Sequence, residues 1–239
     1  VVDPDALVDK YGAEALRYYL MSDIVTGKDA DFSEERLVSQ FNSDLANSVG
    51  NLLNRTLNMA QRYRSGRVYL VDDKLSLSTD EELRVEGEIW NSFGIDRVKG
   101  ELARREVRRV GVFVVTNIAP MISAAGVSET LSSVSAIAIR ANAAIELSAP
   151  WKLAKDPDCA AEVDRTLLTL AESLRIIAIL ISPVLPKAAH GIFDQLNWKM
   201  EPELAGKEAR FALADAEWGK LPDGHIVGNP TPLFPRIEQ

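Results

Sequence analysis

The residues Phe41 to Arg55 constrain the fold more than any other part of this sequence. Asn47, Asn51 and Arg55 follow one another at intervals of four, so a helix places them in one polar stripe. Such a stripe either faces solvent or presents an amide and a guanidinium together to the edge of an unpaired base. The apolar residues at helical spacing lie on the opposite side, which predicts a helix with one buried face: Leu45, Val49, Leu52 and Leu53.

Helical periodicity and capping residues continue along most of the chain. No segment alternates at period two for long enough to predict a sheet, so the sequence predicts an all-α helical bundle. We expect residues 1–30 to precede the bundle, 31–197 to form it, and 198–239 to cross its surface as an extended tail. The predicted helices begin at Pro4 after an Asp3 cap, at Ala13, and at Ser33 with a run to about Arg64; further ones start at about Thr79 and span Ser128–Leu147, Asp158–Ile181 and Pro186–Leu196.

The composition and net charge limit how this protein could bind a nucleic acid. The 239 residues are 46% hydrophobic, which is enough for a real core, and 27 basic against 35 acidic residues give a net charge of -8. A nucleic-acid-binding protein with this balance must use a local patch rather than bulk electrostatics. The single cysteine, Cys159, excludes an intramolecular disulfide and a cysteine zinc cluster, which suits a reducing cytoplasm.

Neither a leader nor a membrane span is predicted. Val110 to Ser128 lacks charge, but its polar residues and Pro120 favour a buried, broken helix. The first residue is valine and the chain begins inside a motif, so we expect a piece of a longer protein. Four nearby arginines are either a solvated face or a nucleic-acid surface: Arg104, Arg105, Arg108 and Arg109.

A second distinctive block is Ala149 to Lys155, with the sequence APWKLAK. Pro150 stiffens the backbone before Trp151, and Asp156-Pro157 makes a turn after it. The indole is either a stacking platform at the mouth of the bundle or a plug in its core.

Both blocks resemble one family. Phe41 to Arg55 matches every specified position of the pattern aromatic-N-x-D-L-x-N-x-x-G-N-L-x-x-R of methionyl-tRNA synthetases, and Ala149 to Lys155 resembles their A-P-W-x-x-A-K motif. Residues 3–20 resemble the family's stem-contact segment, and residues 232–237 are similar to the end of the synthetase core.

The resemblance implies roles for individual residues. The positions matching Asn51, Arg55 and Trp151 contact the CAU anticodon, with the tryptophan stacked on its first base. Asn47 is expected to support Asn51. Lys152 and Lys155 flank the tryptophan and are either phosphate contacts or solvated side chains.

The N-terminal segment has its own implied contacts. Arg17 and Tyr18 are expected to face the inner side of the tRNA or to hold the catalytic domain. Glu14 stands where the family usually has aspartate, and we assign it no role.

The implied partners are the anticodon stem-loop of tRNA(Met) and the enzyme's own catalytic domain, in the cytoplasm. The full-length enzyme would attach methionine using ATP with Mg²⁺. H-I-G-H and K-M-S-K-S motifs are missing, as are a phosphate loop, a metal constellation and a nucleophile with its base, so we expect no catalytic residue, metal or cofactor site here and no activity of this piece alone.

Two alternatives remain. One is the anticodon domain of a related synthetase for cysteine, valine, leucine or isoleucine, although the pairing of GNLLNR with APWKLAK disfavours it. The other is a helical protein-interaction module that binds no RNA.

Overall fold

The computed structural model describes residues 2–24, 31–71, 104, 126–199 and 211–238. Within these ranges the protein is a helical bundle with one short antiparallel ribbon. The elements in chain order are α1 (Pro4–Tyr11), α2 (Ala13–Asp23), α3 (Glu34–Gln40), a π-helix (Phe41–Gly50), α4 (Asn51–Arg64), β1 (Arg67–Val68), α5 (Val127–Ser148), α6 (Pro150–Leu153), a 3₁₀ turn (Pro157–Cys159), α7 (Ala160–Ile181), α8 (Pro186–Leu196), a second 3₁₀ turn (Leu213–Ala216) and β2 (His225–Ile226).

The predicted long helix is present and forms the spine of the bundle. The Ser33 side chain caps it by accepting the backbone N–H of Arg36, 3.3 Å away, and left-handed Ser65 ends it after α4. Its middle, Phe41–Gly50, is π-helical, which the sequence did not predict. A π-helix has backbone hydrogen bonds that reach five residues back, as from Asn51 N–H to the Ala46 carbonyl here.

Helix α7 lies at the centre of the bundle. Every residue from Leu170 to Ile181 is buried, so this part of the helix is enclosed on all sides rather than amphipathic. It packs against α4, α5 and α8. The 3₁₀ turn replaces the expected first turn of α7, with Asp156 accepting the backbone N–H of Asp158.

The tail contributes to the core. Buried Arg175 on α7 pairs with buried Glu172 at 2.8 Å and donates to the carbonyls of Asp215 and Glu217. Glu172 also accepts the backbone N–H of Leu221 at 2.6 Å. The chain therefore satisfies a charged pair inside the bundle with tail backbone.

Further along, the tail returns to the spine. Strand β2 pairs antiparallel with β1, a two-residue ribbon that the sequence did not predict. Asn42 then exchanges two hydrogen bonds of 3.0 Å with the backbone of Ile237, and the Phe234 ring packs against Phe41. The end of the described tail thus lies on the π-helix.

Several predictions change or cannot be placed. Ser128 does not cap α5; Gly126 occupies that position, and the Ser128 hydroxyl donates to the Ser22 carbonyl. Arg104 is buried and donates to the hydroxyls of Ser148 and Thr166, so it is neither a solvated residue nor a nucleic-acid contact. The other three arginines, the predicted helix from about Thr79 and nearly all of the charge-free segment lie outside the described residues.

Among the residues that the structure describes, none of the helices has the length and apolar character required to cross a bilayer.

Candidate nucleic-acid interface

Arg55 projects from α4 beside helix α5. Its guanidinium lies 2.5 Å from a carboxylate oxygen of Glu146, and the two side chains are 25% and 62% exposed. The guanidinium has five donors, and Glu146 is its one hydrogen-bond partner among the described residues. The pair holds the planar group at the surface while other donors remain for a ligand.

Asn51 lies one turn before Arg55 and is exposed. Its amide nitrogen donates to the side-chain oxygen of Asn142 on α5 across 3.4 Å. Asn142 in turn donates to the carbonyls of Ser48 and Ala138. Sequence spacing did not reveal Glu146 or Asn142, although their separation of four on α5 mirrors that of Asn51 and Arg55 on α4.

Trp151 stands outward at the junction after α5. Ala149 ends that helix in the left-handed conformation at φ 43°, which turns the chain so that Pro150 and Leu153 are buried. Trp151 is 39% exposed, so the structure excludes the core-plug interpretation. Lys152, within this short helix, and Lys155, just after it, are both exposed.

The segment between α5 and α7, which contains Trp151, is anchored to the spine on both sides. The Arg55–Glu146 pair fixes the end of α5, and Arg64 fixes the start of α7 through Asp164 at 2.5 Å and the Ala160 carbonyl at 2.7 Å. Arg55 and Arg64 are nine residues apart on α4, which corresponds to a rise of about 14 Å along the helix axis. The structure therefore ties Asn51 and Arg55 to the last turns of α5, and exposed Trp151 follows the end of that helix.

Asn47 does not join this group. Its side-chain oxygen accepts from Arg236 Nε of the tail at 3.1 Å, so it bonds to the tail, and its expected support of Asn51 stays a prediction. The extra residue in each π-helical turn displaces Asn47 from the stripe that α-helical spacing predicts.

Tyr18 has a structural role within this chain. Its side chain is buried and its hydroxyl donates to Asp44 at 2.9 Å, which disfavours an RNA contact, and its expected role toward the catalytic domain stays a prediction. Burial, reinforced by the Asp44 charge, raises the pKa of the phenol well above its ordinary value. Arg17 is exposed, and its contact with the tRNA or the catalytic domain stays a prediction.

Glu14 has a structural role that the sequence did not indicate. Its carboxylate accepts the backbone N–H groups of Lys187 at 2.6 Å and Ala188 at 3.2 Å, at the start of α8. An acidic group at a helix N-terminus is favourable, and here it joins α2 to α8. The partner lies 173 residues away, beyond any local pattern.

Family models match two parts of the chain. Residues 1–57 match the model described as tRNA synthetases class I (M). Residues 113–239 match the model described as the anticodon binding domain of methionyl tRNA ligase.

Individual proteins agree with these models. The methionine–tRNA ligase of Nostoc sp. is 35% identical over 238 residues, which are 100% of this chain and 40% of the ligase. The free form of Mycobacterium tuberculosis methionyl-tRNA synthetase superposes with a TM-score of 0.79 at 26% identity, over 100% of this chain and 42% of that one. The same synthetase in complex with methionyl-adenylate gives 0.74 at 26% identity, over 98% and 40%. The chain thus spans well under half the length of these relatives.

Proposed function

Because this chain belongs to the family of methionyl-tRNA ligases and carries their anticodon-binding domain, we propose that it recognises the CAU anticodon of tRNA(Met). The observation that supports this proposal is that Asn51 and Arg55 both bond to α5, and that the exposed Trp151 follows the end of the same helix. Family membership sets aside the alternative of a cysteine, valine, leucine or isoleucine synthetase.

The chemistry of these side chains suits unpaired bases. Proteins bind single-stranded RNA by stacking bases on aromatic planes and by hydrogen bonding to their Watson–Crick edges. The exposed Trp151 indole supplies the plane for the first anticodon base. Arg55 donates a fork of hydrogen bonds to the carbonyl and ring nitrogen of cytosine, and Asn51 offers both a donor and an acceptor to a neighbouring base.

The local charges favour a base edge over a phosphate at Arg55. Glu146 places a negative charge beside the guanidinium and repels a phosphate that approaches the same group. Lys152 and Lys155, exposed beside Trp151, meet the backbone phosphates instead.

The remaining steps belong to a larger protein. We place this chain in a cytoplasmic methionine–tRNA ligase whose catalytic domain attaches methionine to tRNA(Met) with ATP and Mg²⁺. This chain supplies tRNA recognition and, without the H-I-G-H and K-M-S-K-S motifs, no catalysis of its own. It should show no methionine-dependent exchange of pyrophosphate into ATP.

The test is a binding measurement with two RNA stem-loops. They share one stem and differ only in the anticodon, CAU or the same triplet with its first base replaced. Fluorescence anisotropy should show tighter binding of the CAU stem-loop by the 239-residue chain. Equal affinity for both would indicate phosphate contact alone, and no binding would favour the protein-interaction alternative.

A further inference from the structure

We propose that Asn142 is a positioning residue that determines which atoms of Asn51 face the RNA base. The inference rests on the proposed function, and it adds the chemical pattern that the site selects. Asn142 touches no base in this proposal; it acts through the Asn51 amide.

The orientation of the Asn142 amide is fixed by its surroundings. Its nitrogen lies 3.0 Å from the Ser48 carbonyl oxygen and 2.9 Å from that of Ala138. Carbonyl oxygens only accept, and an amide nitrogen has two N–H groups, so both donors are used. The side-chain oxygen of Asn142 must therefore point away from these carbonyls, toward α4.

That oxygen dictates the orientation of Asn51. It accepts the Asn51 amide nitrogen at 3.4 Å, and a flipped Asn51 would place two oxygens against each other. Asn51 therefore turns its own oxygen outward, next to its second N–H. The Ser48 carbonyl also accepts the backbone N–H of Asn51 where the π-helix ends, so one carbonyl anchors both asparagines.

An Asn51 amide held in one orientation can discriminate between bases, whereas an amide that is free to flip cannot. An acceptor beside a donor complements an exocyclic amine next to a ring nitrogen, as in adenine and cytosine. Guanine and uracil present a carbonyl and an N–H in those places. For a base held in one orientation by stacking, an Asn51 amide free to flip would match either pattern, so Asn142 is what makes the contact discriminate.

A double-mutant cycle tests the inference on the full 239-residue chain. Dissociation constants are measured for the wild type, Asn142→Ala, Asn51→Ala and the double variant, on CAU stem-loops and on stem-loops with each anticodon base replaced in turn. Asn142→Ala should weaken CAU binding ~2- to 13-fold, the equivalent of one neutral hydrogen bond. It should also narrow discrimination at the base position that Asn51→Ala affects, and it should add nothing to Asn51→Ala.

A second variant guards against misfolding. Asn142→Ser keeps a hydroxyl that bonds four residues back, as Ser133 does to the Glu129 carbonyl on the same helix, but it cannot reach Asn51. Asn142→Ser should lose discrimination as Asn142→Ala does, but its melting temperature should change less than that of Asn142→Ala. Asn54→Ala, an exposed asparagine off the stripe, is the matched control and should leave both readouts unchanged.

The outcomes separate this inference from the function on which it rests. A wild-type chain without preference for CAU overturns both. A preference that Asn51→Ala narrows but Asn142→Ala and Asn142→Ser leave intact overturns only the role of Asn142. An equal further loss in the Asn51→Ala background does the same, because it would mean that Asn142 acts on the fold and not through Asn51.

Discussion

At the scale of single residues, the candidate site is held together by weak surface contacts. Glu146 is 62% exposed, and exposed ion pairs contribute about 0–1 kcal/mol to stability. The Arg55–Glu146 pair therefore orients the guanidinium more than it stabilises the fold. A guanidinium held in this way can exchange partners when RNA arrives, so substitutions of Arg55 should change binding and leave folding nearly intact.

Trp151→Ala separates binding from folding most directly. Losing a stacking platform should weaken RNA binding by ~1–3 kcal/mol, a factor of roughly 5 to 150. The melting temperature should change little because the side chain is 39% exposed. Trp151→Phe should retain most of the affinity. A loss of ~3–5 kcal/mol in unfolding free energy, as for a core aromatic, would contradict the assignment.

Arg55 offers a test of base recognition against simple charge attraction. Arg55→Ala should lose ~1–3 kcal/mol of affinity, by analogy with bidentate base contacts. It should also narrow the gap between CAU and an anticodon with a replaced first base. Arg55→Lys keeps the charge without the planar fork, so it should recover affinity better than discrimination. A uniform loss on both stem-loops would indicate that Arg55 binds a phosphate.

At the scale of elements, the π-helix is the part of the spine that contacts both α2 and the tail. Tyr18 of α2 bonds to Asp44 within it, and the tail bonds to Asn42 and Asn47. The segment Phe41–Gly50 therefore joins the N-terminal helices to the site that begins at Asn51. π-Helical turns are frequent at functional sites, and this one ends just before Asn51, the residue proposed to contact RNA.

Tyr18→Phe tests the link between α2 and the spine. The variant loses one part-buried hydrogen bond and should cost about 0.5–1.5 kcal/mol of unfolding free energy at neutral pH. The unfolded phenol ionises near its ordinary pKa of 10.0, whereas the folded one stays protonated to higher pH. The wild-type advantage is therefore complete below pH 10.0 and shrinks as pH rises above it.

Urea titrations of both proteins at about pH 8 and about pH 11 measure this advantage. The variant shares every other titrating group with the wild type, so it is its own control. An advantage that is equal at both pH values would show that the Tyr18 phenol ionises in the folded protein as it does in the unfolded one.

The same elements show how far sequence could predict this structure. Helix ends marked by local chemistry are confirmed, such as Ser33, Ser65 and Pro186, because a cap depends on residues within one turn. The π-helix and the bond from Asn47 to Arg236 were missed, since the partners lie 189 residues apart. The family motif gave the candidate site residues; Asn142 and Glu146 emerge only when α5 packs beside the spine.

At the scale of the whole molecule, an acidic protein presents two exposed lysines beside its candidate RNA surface. The net charge of -8 repels a polyanion at long range, so we expect phosphate binding to be confined to the neighbourhood of Lys152 and Lys155. Few counterions are then released on binding.

The salt dependence of RNA affinity measures this confinement. Two or three phosphate contacts, at ~0.7 each for single strands, predict a slope of about -1.4 to -2.1 in a plot of log K against log salt concentration. Replacing Lys152 and Lys155 by alanine should reduce the slope by about 1.4 and weaken both stem-loops equally. A slope several times steeper would mean that the RNA surface lies elsewhere on the molecule.

The bonds between Asn42 and Ile237 also bear on how the protein is made. The two residues are 195 positions apart. At 5–20 residues per second a ribosome needs roughly 10 to 40 s to supply the second partner after the first. Throughout that interval, Asn42 and Phe41 on the nascent spine lack the tail segment that contacts them in the folded protein. The π-helix therefore cannot gain these two bonds until the tail segment has been synthesised.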